Sequence, residues 1–401
     1  MPHDGTVSTT EHPADTCPPP GPQPPSPLPA QETGQDGTAP RSRRRRGPVI
    51  AVALIAVTLL VVASVTIPVN VVIEAPGPTW NVLAAGGEGS ADVLTVSGAP
   101  TYQADGALRM TTVSVSGCPG YPVHLVDLVG AWLDDEEEIL DRESVCPSNL
   151  SQEQVDQANQ AQMTGSQDAA VVAALMETGL ATTMTLTISG VAQEQADSGL
   201  KAGDVLVSVT PSGAATTTIT TYTDLRTLMS SLAPGTEVTL GLRRDGAETT
   251  ATVTTLAPPQ GSDRQGSLLG VYLSARADSG VEVSFGLADV GGPSAGMMFA
   301  LGIVDEVTPG SLTGGQDVAG TGTIAIDGTV GPIGGIAQKM AGARRAGSRY
   351  FLAPAANCPE VVGHVPAGLE VVSVSTLHEA VTALKGIASG STSDLPTCES
   401  Q

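Results

Sequence analysis

Ser294 and Lys339 are the two residues whose types and settings suggest chemistry. Ser294 follows a tight Gly291-Gly292-Pro293 turn and precedes Ala295-Gly296. The segment after it, AGMMFALGIVDEV, is apolar nearly all round, the pattern of a buried helix. A serine there stands where unpaired backbone N–H groups and the positive end of the helix dipole collect. Those donors suit the oxyanion of a tetrahedral intermediate, and the flanking glycines let a substrate backbone approach closely. Serine at a helix start is also a common N-cap, and that role alone accounts for Ser294 equally well.

Lys339 supplies the second half. The chain has 18 basic residues, and only Lys201, Lys339 and Lys385 are lysines. Residues 336–346, IAQKMAGARRA, read as a helix ending at Gly347. Ile336, Lys339, Met340 and Ala343 share one stripe, with Gln338 and Arg345 pointing the other way. A lysine in an apolar stripe often snorkels at the rim. This chain uses arginine for ordinary surface charge, however, so a lysine kept here fits a need for an amine that can be neutral. Burial lowers a lysine pKa by disfavouring the charged form, and a neutral amine beside a serine hydroxyl can act as its general base. Together the two residues suggest a Ser–Lys hydrolase.

Several elements must position them. Residues 268–275 and 280–286 read as strands before the serine turn, and Asp327-Gly328 reads as a hairpin turn. Further upstream, 92–115 alternates apolar and polar residues around Asp105-Gly106 and reads as a hairpin. Two helices should follow, one opening at Ser151 with Gln154 in a capping-box pair, the other running from near Ser166 to Gly179. Glu74-Ala75-Pro76-Gly77-Pro78 reads as a linker.

Val49 to Ile67 is an uncharged apolar run of helical spanning length. Arg41, Arg43, Arg44, Arg45 and Arg46 precede it, which by the positive-inside rule keeps the N-terminus cytoplasmic. A cleaved signal peptide would have a shorter apolar core followed by a small-residue cleavage site. Residues 1–40, rich in Pro, Ser, Gln and Thr, should be disordered. Their acids cancel the arginines, so the net charge of −23 belongs to the part beyond the membrane. That balance argues against nucleic acid and against docking on anionic lipid. The run Asp134–Glu138 reads as a solvated face, without the spaced ligands of a calcium loop.

Cys118, Cys146, Cys358 and Cys398 fall outside the membrane, where disulfides persist. Three pairings are open, the local ones being simplest; Cys17 should be reduced. No Cys/His spacing suggests zinc, and His378-Glu379 is not completed to HExxH because Thr382 stands at the last position. No cofactor or metal is expected.

Residues 184–255 run strand, turn, strand, helix, hairpin. The stretches SGLKAGDVLVSV, TDLRTLM and GTEVTLGLRRDG resemble, in order and spacing, a bacterial PDZ domain. The resemblance implies an extended peptide added as a strand beside the helix. The carboxylate-binding loop of the family has no clear counterpart, so internal peptide binding, gating and a packing role without ligand all stay open.

GGPSAGMMFALGIVD and VAGTGTIAIDGTVGPIGGIAQKMAGARRAGSRYFLAPAANCPEV, from about 280 to 385, resemble the proteolytic domain of Lon-type Ser–Lys proteases. The resemblance implies Ser294 as nucleophile, Lys339 as general base and Thr321 as the threonine that orients the lysine. Two positions depart from it. Gly291 stands where Lon proper has an acid, the nearest being Asp289, and Thr323 stands where Lon proper has an acid after Thr-Gly. Anchor, PDZ unit and Lon-type region in this order resemble membrane-anchored PDZ-containing Lon-like proteases. DGALRMTTVSVSG and MTGSQDAAVVAAL then resemble the first part of the protease domain, with the PDZ unit inserted into it.

The expected fold class is α+β: a single N-terminal transmembrane helix and a Lon-type α/β proteolytic domain with an inserted β-rich PDZ domain. The expected organisation is a disordered cytoplasmic tail over 1–48 and an anchor over 49–69. The N-terminal protease region follows over 70–177, PDZ over 178–258, the Lon-type domain over 259–388 and a tail over 389–401. The expected function is an ATP-independent serine endopeptidase acting on extracytoplasmic proteins or peptides. No lysine is followed by Ser or Thr as a P-loop needs, so no ATP is expected as a partner; a homo-oligomer stays open. One rival is an α/β-hydrolase using Ser294, Asp327 and His364 or His378, although too little chain follows Ser294 to complete that sheet. The other is a membrane-tethered PDZ scaffold with a degenerate protease fold.

Overall fold

The computed structural model describes residues 47–84, 92–118, 120–146, 151–261, 264–287 and 290–400. The arginine cluster, Cys17 and Asp289 lie outside them. Among the described residues one helix, Gly47–Thr66, is long and apolar enough to cross a membrane. The chain divides within it into two compact units, one ending at Val57 and the other running from Thr58 onward.

The second unit is built on a six-stranded sheet. Its order is Glu370–Val374, Tyr350–Pro354, Asp317–Gly320, Ala107–Ser116, Val71–Asn81, Glu138–Asp141. The first four strands are mutually parallel and the last two add antiparallel. Alternation along the strands sends side chains to two separate cores. Leu108, Met110, Val318, Leu352 and Val372 meet the serine helix, Gly296–Val307, while Ala319, Phe351 and Ala353 meet Ile336, Met340 and Ala343 of the lysine helix, Ile336–Arg345. The two helices that carry the candidate chemistry therefore lie on opposite faces of one sheet.

Three sequence expectations change. Residues 92–115 do not form a hairpin: Leu94–Ser97 pairs with Glu282–Phe285 in a separate two-stranded sheet, while Ala107–Ser116 enters the central sheet. The nine residues from Gly98 to Gly106 give the chain the reach to change sheets. Glu74–Pro78 is not a linker but the middle of the Val71–Asn81 strand, which tolerates its prolines through a register shift between Pro76 and Thr79. The two expected helices are one, Gln152–Glu177, capped by Ser151 and Gln154 as expected. Gly165 costs this helix about 1 kcal/mol of propensity but does not break it, because the helix is buried along its second half.

That long helix is the wall between two cores. Ala169, Ala170, Ala173 and Ala174 pack with the serine helix, whereas Val172 and Leu175 pack into a second β-rich body. In that body Ala247–Thr254, Glu237–Arg244, Val205–Pro211, Met184–Val191 and Val271–Ala277 lie in that order, with Thr217–Thr218 beside Val205–Pro211. The Tyr222–Ser231 helix covers this sheet through Leu225 and Met229. Its N-terminus is a Thr221/Asp224 capping box, and the Asp245-Gly246 turn carries positive φ at both residues. Chain segments before and after this body share the central sheet, so it is inserted in the larger α/β fold. Cys118–Cys146 and Cys358–Cys398 are disulfide-bonded.

Candidate active site

Ser294 and Lys339 approach one another where the parallel strands end. Asp317–Gly320 leads directly into Thr321, which lies at the boundary between the two faces of the sheet. Thr321 is fully buried. Lys339 Nζ donates to Thr321 Oγ1 at 3.3 Å, and Thr321 Oγ1 donates to the Ser294 carbonyl at 3.0 Å. Gly322 N donates to the same carbonyl at 2.8 Å, and Met297 N donates back to Gly322 O at 3.0 Å. The carboxyl ends of parallel strands are the usual site of chemistry in open α/β sheets. All three residues picked from sequence are thus brought together, with Thr321 as the bridge. Among the described residues no hydrogen bond joins Ser294 Oγ to Lys339 Nζ.

The N-cap role considered for Ser294 is not used. Ala295 occupies the cap of the serine helix, and no side chain caps it. Ser294 is half-buried, in the turn just before. Its backbone N–H and that of Ala295 have no hydrogen-bond partner among the described residues. Gly292, at φ +84°, makes the turn, and Gly296 is packed so closely that a Cβ there would stand 2.5 Å from Ser166 Oγ.

The long helix fixes the turn at two points that sequence reasoning missed. Gly292 N donates to Asn159 O at 3.0 Å, and Ser166 Oγ donates to Pro293 O at 2.9 Å. The sequence reads Ser166 as a helix start, whereas it lies within the long helix with its side chain directed inward. Asn159 also gives a reason for Gly291, because a Cβ at 291 would stand 2.8 Å from Asn159 Cβ. Thr323, the other departure from the Lon pattern, lies in the Thr323–Ile324 strand paired with Val330–Gly331.

Lys339 is buried, 4% exposed, and burial lowers its pKa to about 8, partly opposed by the Glu74 carboxylate. Glu74 comes from the strand that the sequence suggested was a linker. Its own pKa is raised, first by burial and then by Glu138, while Lys339 lowers it. Gln338 corrects the expected helix face: it is buried, with its Oε1 unpartnered among the described residues. The helix sits against the strands 71–81 and 107–116 on the Gln338 side too, so its buried arc is wider than the apolar stripe. Glu138, in the run expected to be a solvated face, pairs through the Glu138–Asp141 strand and approaches Gln338 Nε2 at 3.5 Å. Glu136 of that run pairs with Arg345.

The residues of the hydrolase triad considered earlier are engaged elsewhere. Asp327, in the turn of the Thr323–Gly331 hairpin, pairs with Arg226 of the Tyr222–Ser231 helix at 2.8 Å. His378 Nδ1 lies 2.9 Å from Glu177 and His364 Nδ1 lies 3.1 Å from Glu360 O.

Residues 274–385 match the model of the Lon protease (S16) C-terminal proteolytic domain, and residues 161–255 match that of the PDZ domain. Lon protease 1 of Sorangium cellulosum is 38% identical over 109 residues, 26% of this chain and 13% of that protein. Lon protease of Azospirillum brasilense is 36% identical over 110 residues, 27% and 13% of the two chains. Lon protease 2 of Bacillus subtilis is 31% identical over 104 residues, covering 26% and 18%. The chain thus spans less than a fifth of the length of these relatives. With the serine turn, the buried lysine and the β-rich insertion on the same chain, this protein carries a Lon-type C-terminal proteolytic domain together with a PDZ domain.

Proposed function

We propose that this protein is a membrane-anchored serine endopeptidase that works without ATP on extracytoplasmic proteins or peptides. Ser294 Oγ attacks the scissile carbonyl, and its proton passes to the neutral amine of Lys339. The tetrahedral oxyanion is received by the free N–H groups of Ser294 and Ala295. The protonated lysine then gives its proton to the leaving amine, freeing one product and leaving an acyl-serine. Water, deprotonated by Lys339 in turn, releases the second product. Thr321 orients the amine. The observation that carries this reading is the buried Lys339, its pKa lowered to about 8, tied through Thr321 to the carbonyl of Ser294.

The Val49–Thr66 helix is the anchor, with the N-terminus cytoplasmic and the catalytic part outside. The PDZ domain brings an extended segment of substrate to the site or gates it. Support for gating lies in the Arg226–Asp327 pair, because the hairpin that carries Asp327 begins directly after Gly322, whose N–H donates to the Ser294 carbonyl.

The test is to incubate the full chain in lipid vesicles with an unfolded protein, without nucleotide, beside Ser294→Ala. Cleavage by the wild type alone is expected, unchanged when ATP is added. Cleavage that needs ATP, or persists in Ser294→Ala, overturns the reading. Protease added outside intact cells should digest the PDZ domain; its protection would overturn the orientation.

A further inference from the structure

The short helix Leu125–Leu133 turns an apolar face to solvent. Leu125 and Val126 are 43% and 47% exposed, Val129 51%, Trp132 77% and Leu133 72%. At 100° per residue these five side chains occupy about 120° of the helical wheel, a continuous stripe. Only Ala131 is buried, against Ile73 and Val123. Single exposed apolar residues are ordinary, but a contiguous stripe with a tryptophan marks a surface that something covers.

The position of this helix identifies what covers it. The apolar helix ends at Thr66, and Ile67 N still donates to Ala63 O at 3.0 Å. Pro68–Val69 is the next element, and it pairs with Val123–His124, with Pro68 opposite His124. The short helix begins at the following residue. Adjacent Cα atoms lie 3.8 Å apart and paired ones about 5 Å, so Leu125 stands within about 13 Å of Ile67, the last apolar residue before the strand. Asp127 Oδ2 accepts from His124 N at 2.8 Å, which holds the first turn at that place.

We propose that the Leu125–Leu133 face is a second membrane contact, lying in the interface of the bilayer that Val49–Thr66 crosses. The inference rests on the anchor reading and adds to it a monotopic element. Tryptophan favours the headgroup level, and leucine and valine beneath it favour the acyl boundary. Asp134 and Asp135 follow directly and are exposed, so the contact is made by apolar burial rather than by attraction to anionic headgroups. Through Ala131 the helix rests on Ile73, one residue from Glu74. Membrane contact at this helix therefore bears on the strand that carries the carboxylate facing Lys339.

The test uses the full chain in phosphatidylcholine vesicles whose acyl chains carry bromine, which quenches tryptophan at the membrane. Trp80 and Trp132 are the chain's two tryptophans, so the difference between wild type and Trp132→Phe isolates Trp132. Most of the Trp132 emission should be lost in brominated vesicles, to the same extent at high salt, and Leu133→Glu with Val129→Glu should restore it. Retention of each preparation on vesicles after an alkaline wash reports the anchor separately. A retained protein with unquenched Trp132 overturns the proposal and leaves the anchor standing, whereas loss in the wash removes the anchor reading. Unquenched, blue-shifted Trp132 emission that depends on protein density would show that a second copy covers the face, which also overturns the lipid contact.

Discussion

Lys339 Nζ donates to Thr321 Oγ1 at 3.3 Å although Lys339 and Ser294 are delivered from opposite faces of the central sheet. Thr321 is the first residue past the Asp317–Gly320 strand, where the sheet no longer separates the two sides. Its hydroxyl accepts from the lysine and donates to the Ser294 carbonyl. One threonine thus couples the amine of Lys339, the proposed base, to the backbone of Ser294, the proposed nucleophile.

Thr321→Ala should leave a folded, weakly active enzyme. A hydrogen bond to a group that becomes charged contributes about 1.5–3 kcal/mol, so kcat should fall roughly ten- to a hundredfold with little change in KM. Thr321→Ser, which keeps the hydroxyl, should recover most of the loss. Steady-state kinetics on a short peptide measure this, and equal rates for Thr321→Ala and wild type would remove the threonine from the account.

Ser166 holds the serine turn from behind through Pro293 O. Ser166→Ala should cost about 1 kcal/mol of stability, the net value of one such bond. It should also lower kcat, because the turn then loses one of its two ties to the long helix. Chemical denaturation beside peptide kinetics checks both, and an unchanged kcat would show that Asn159 alone suffices.

How far the site was legible in the sequence follows from where each residue gets its environment. Ser294 and Lys339 stood out because glycine-framed turns and rare residue types are local signals. The serine helix and the lysine helix follow from periodicity, and the PDZ domain from the order and spacing of its strands, helix and hairpin. Glu74 was lost because Pro76, Gly77 and Pro78 are read as breakers, whereas the strand absorbs them in a register shift. Ser166 is missed because the sequence reads a second helix as beginning there, whereas one helix packed on two cores runs through. Gln338 pointed outward on a narrow stripe and is buried on a wide one. In each case tertiary contact from residues far along the chain overrode the local rule.

Lys339 should also lower stability. With a pKa of about 8 folded, against 10.5 as the ordinary value, the unfolded chain binds more protons between those two pH values, so stability rises as pH rises from 8 to 10.5. Below pH 8 the penalty is complete and amounts to a few kcal/mol, at about 1.4 kcal/mol per pKa unit. Lys339→Met should therefore be inactive yet more stable than wild type at pH 7, and the gain should shrink toward pH 10. Thermal unfolding across that range tests the sign; a destabilised Lys339→Met at pH 7 would show that the lysine is not held against its charge.

Glu74 opposes the lowering of the Lys339 pKa. Glu74→Gln removes that anion, and the amine should become neutral at lower pH. The rising limb of the pH–activity curve should move below about 8, with a higher rate at neutral pH provided the strand keeps its register. A limb that stays in place or moves upward would show that Glu74 is not felt at Lys339.

The central claim is that Ser294 is activated by a neutral Lys339, and the most direct measurement is the rate of covalent labelling of Ser294 by a serine-reactive phosphonate as a function of pH. The rate reports activation of the hydroxyl without delivery of a protein substrate. The wild type should label faster as pH rises, with a midpoint near 8. Lys339→Arg, whose guanidinium stays protonated, should label as slowly as background across the same range while keeping a normal unfolding profile. Labelling of a folded Lys339→Arg at the wild-type rate, or a wild-type rate flat through pH 8, would contradict the account.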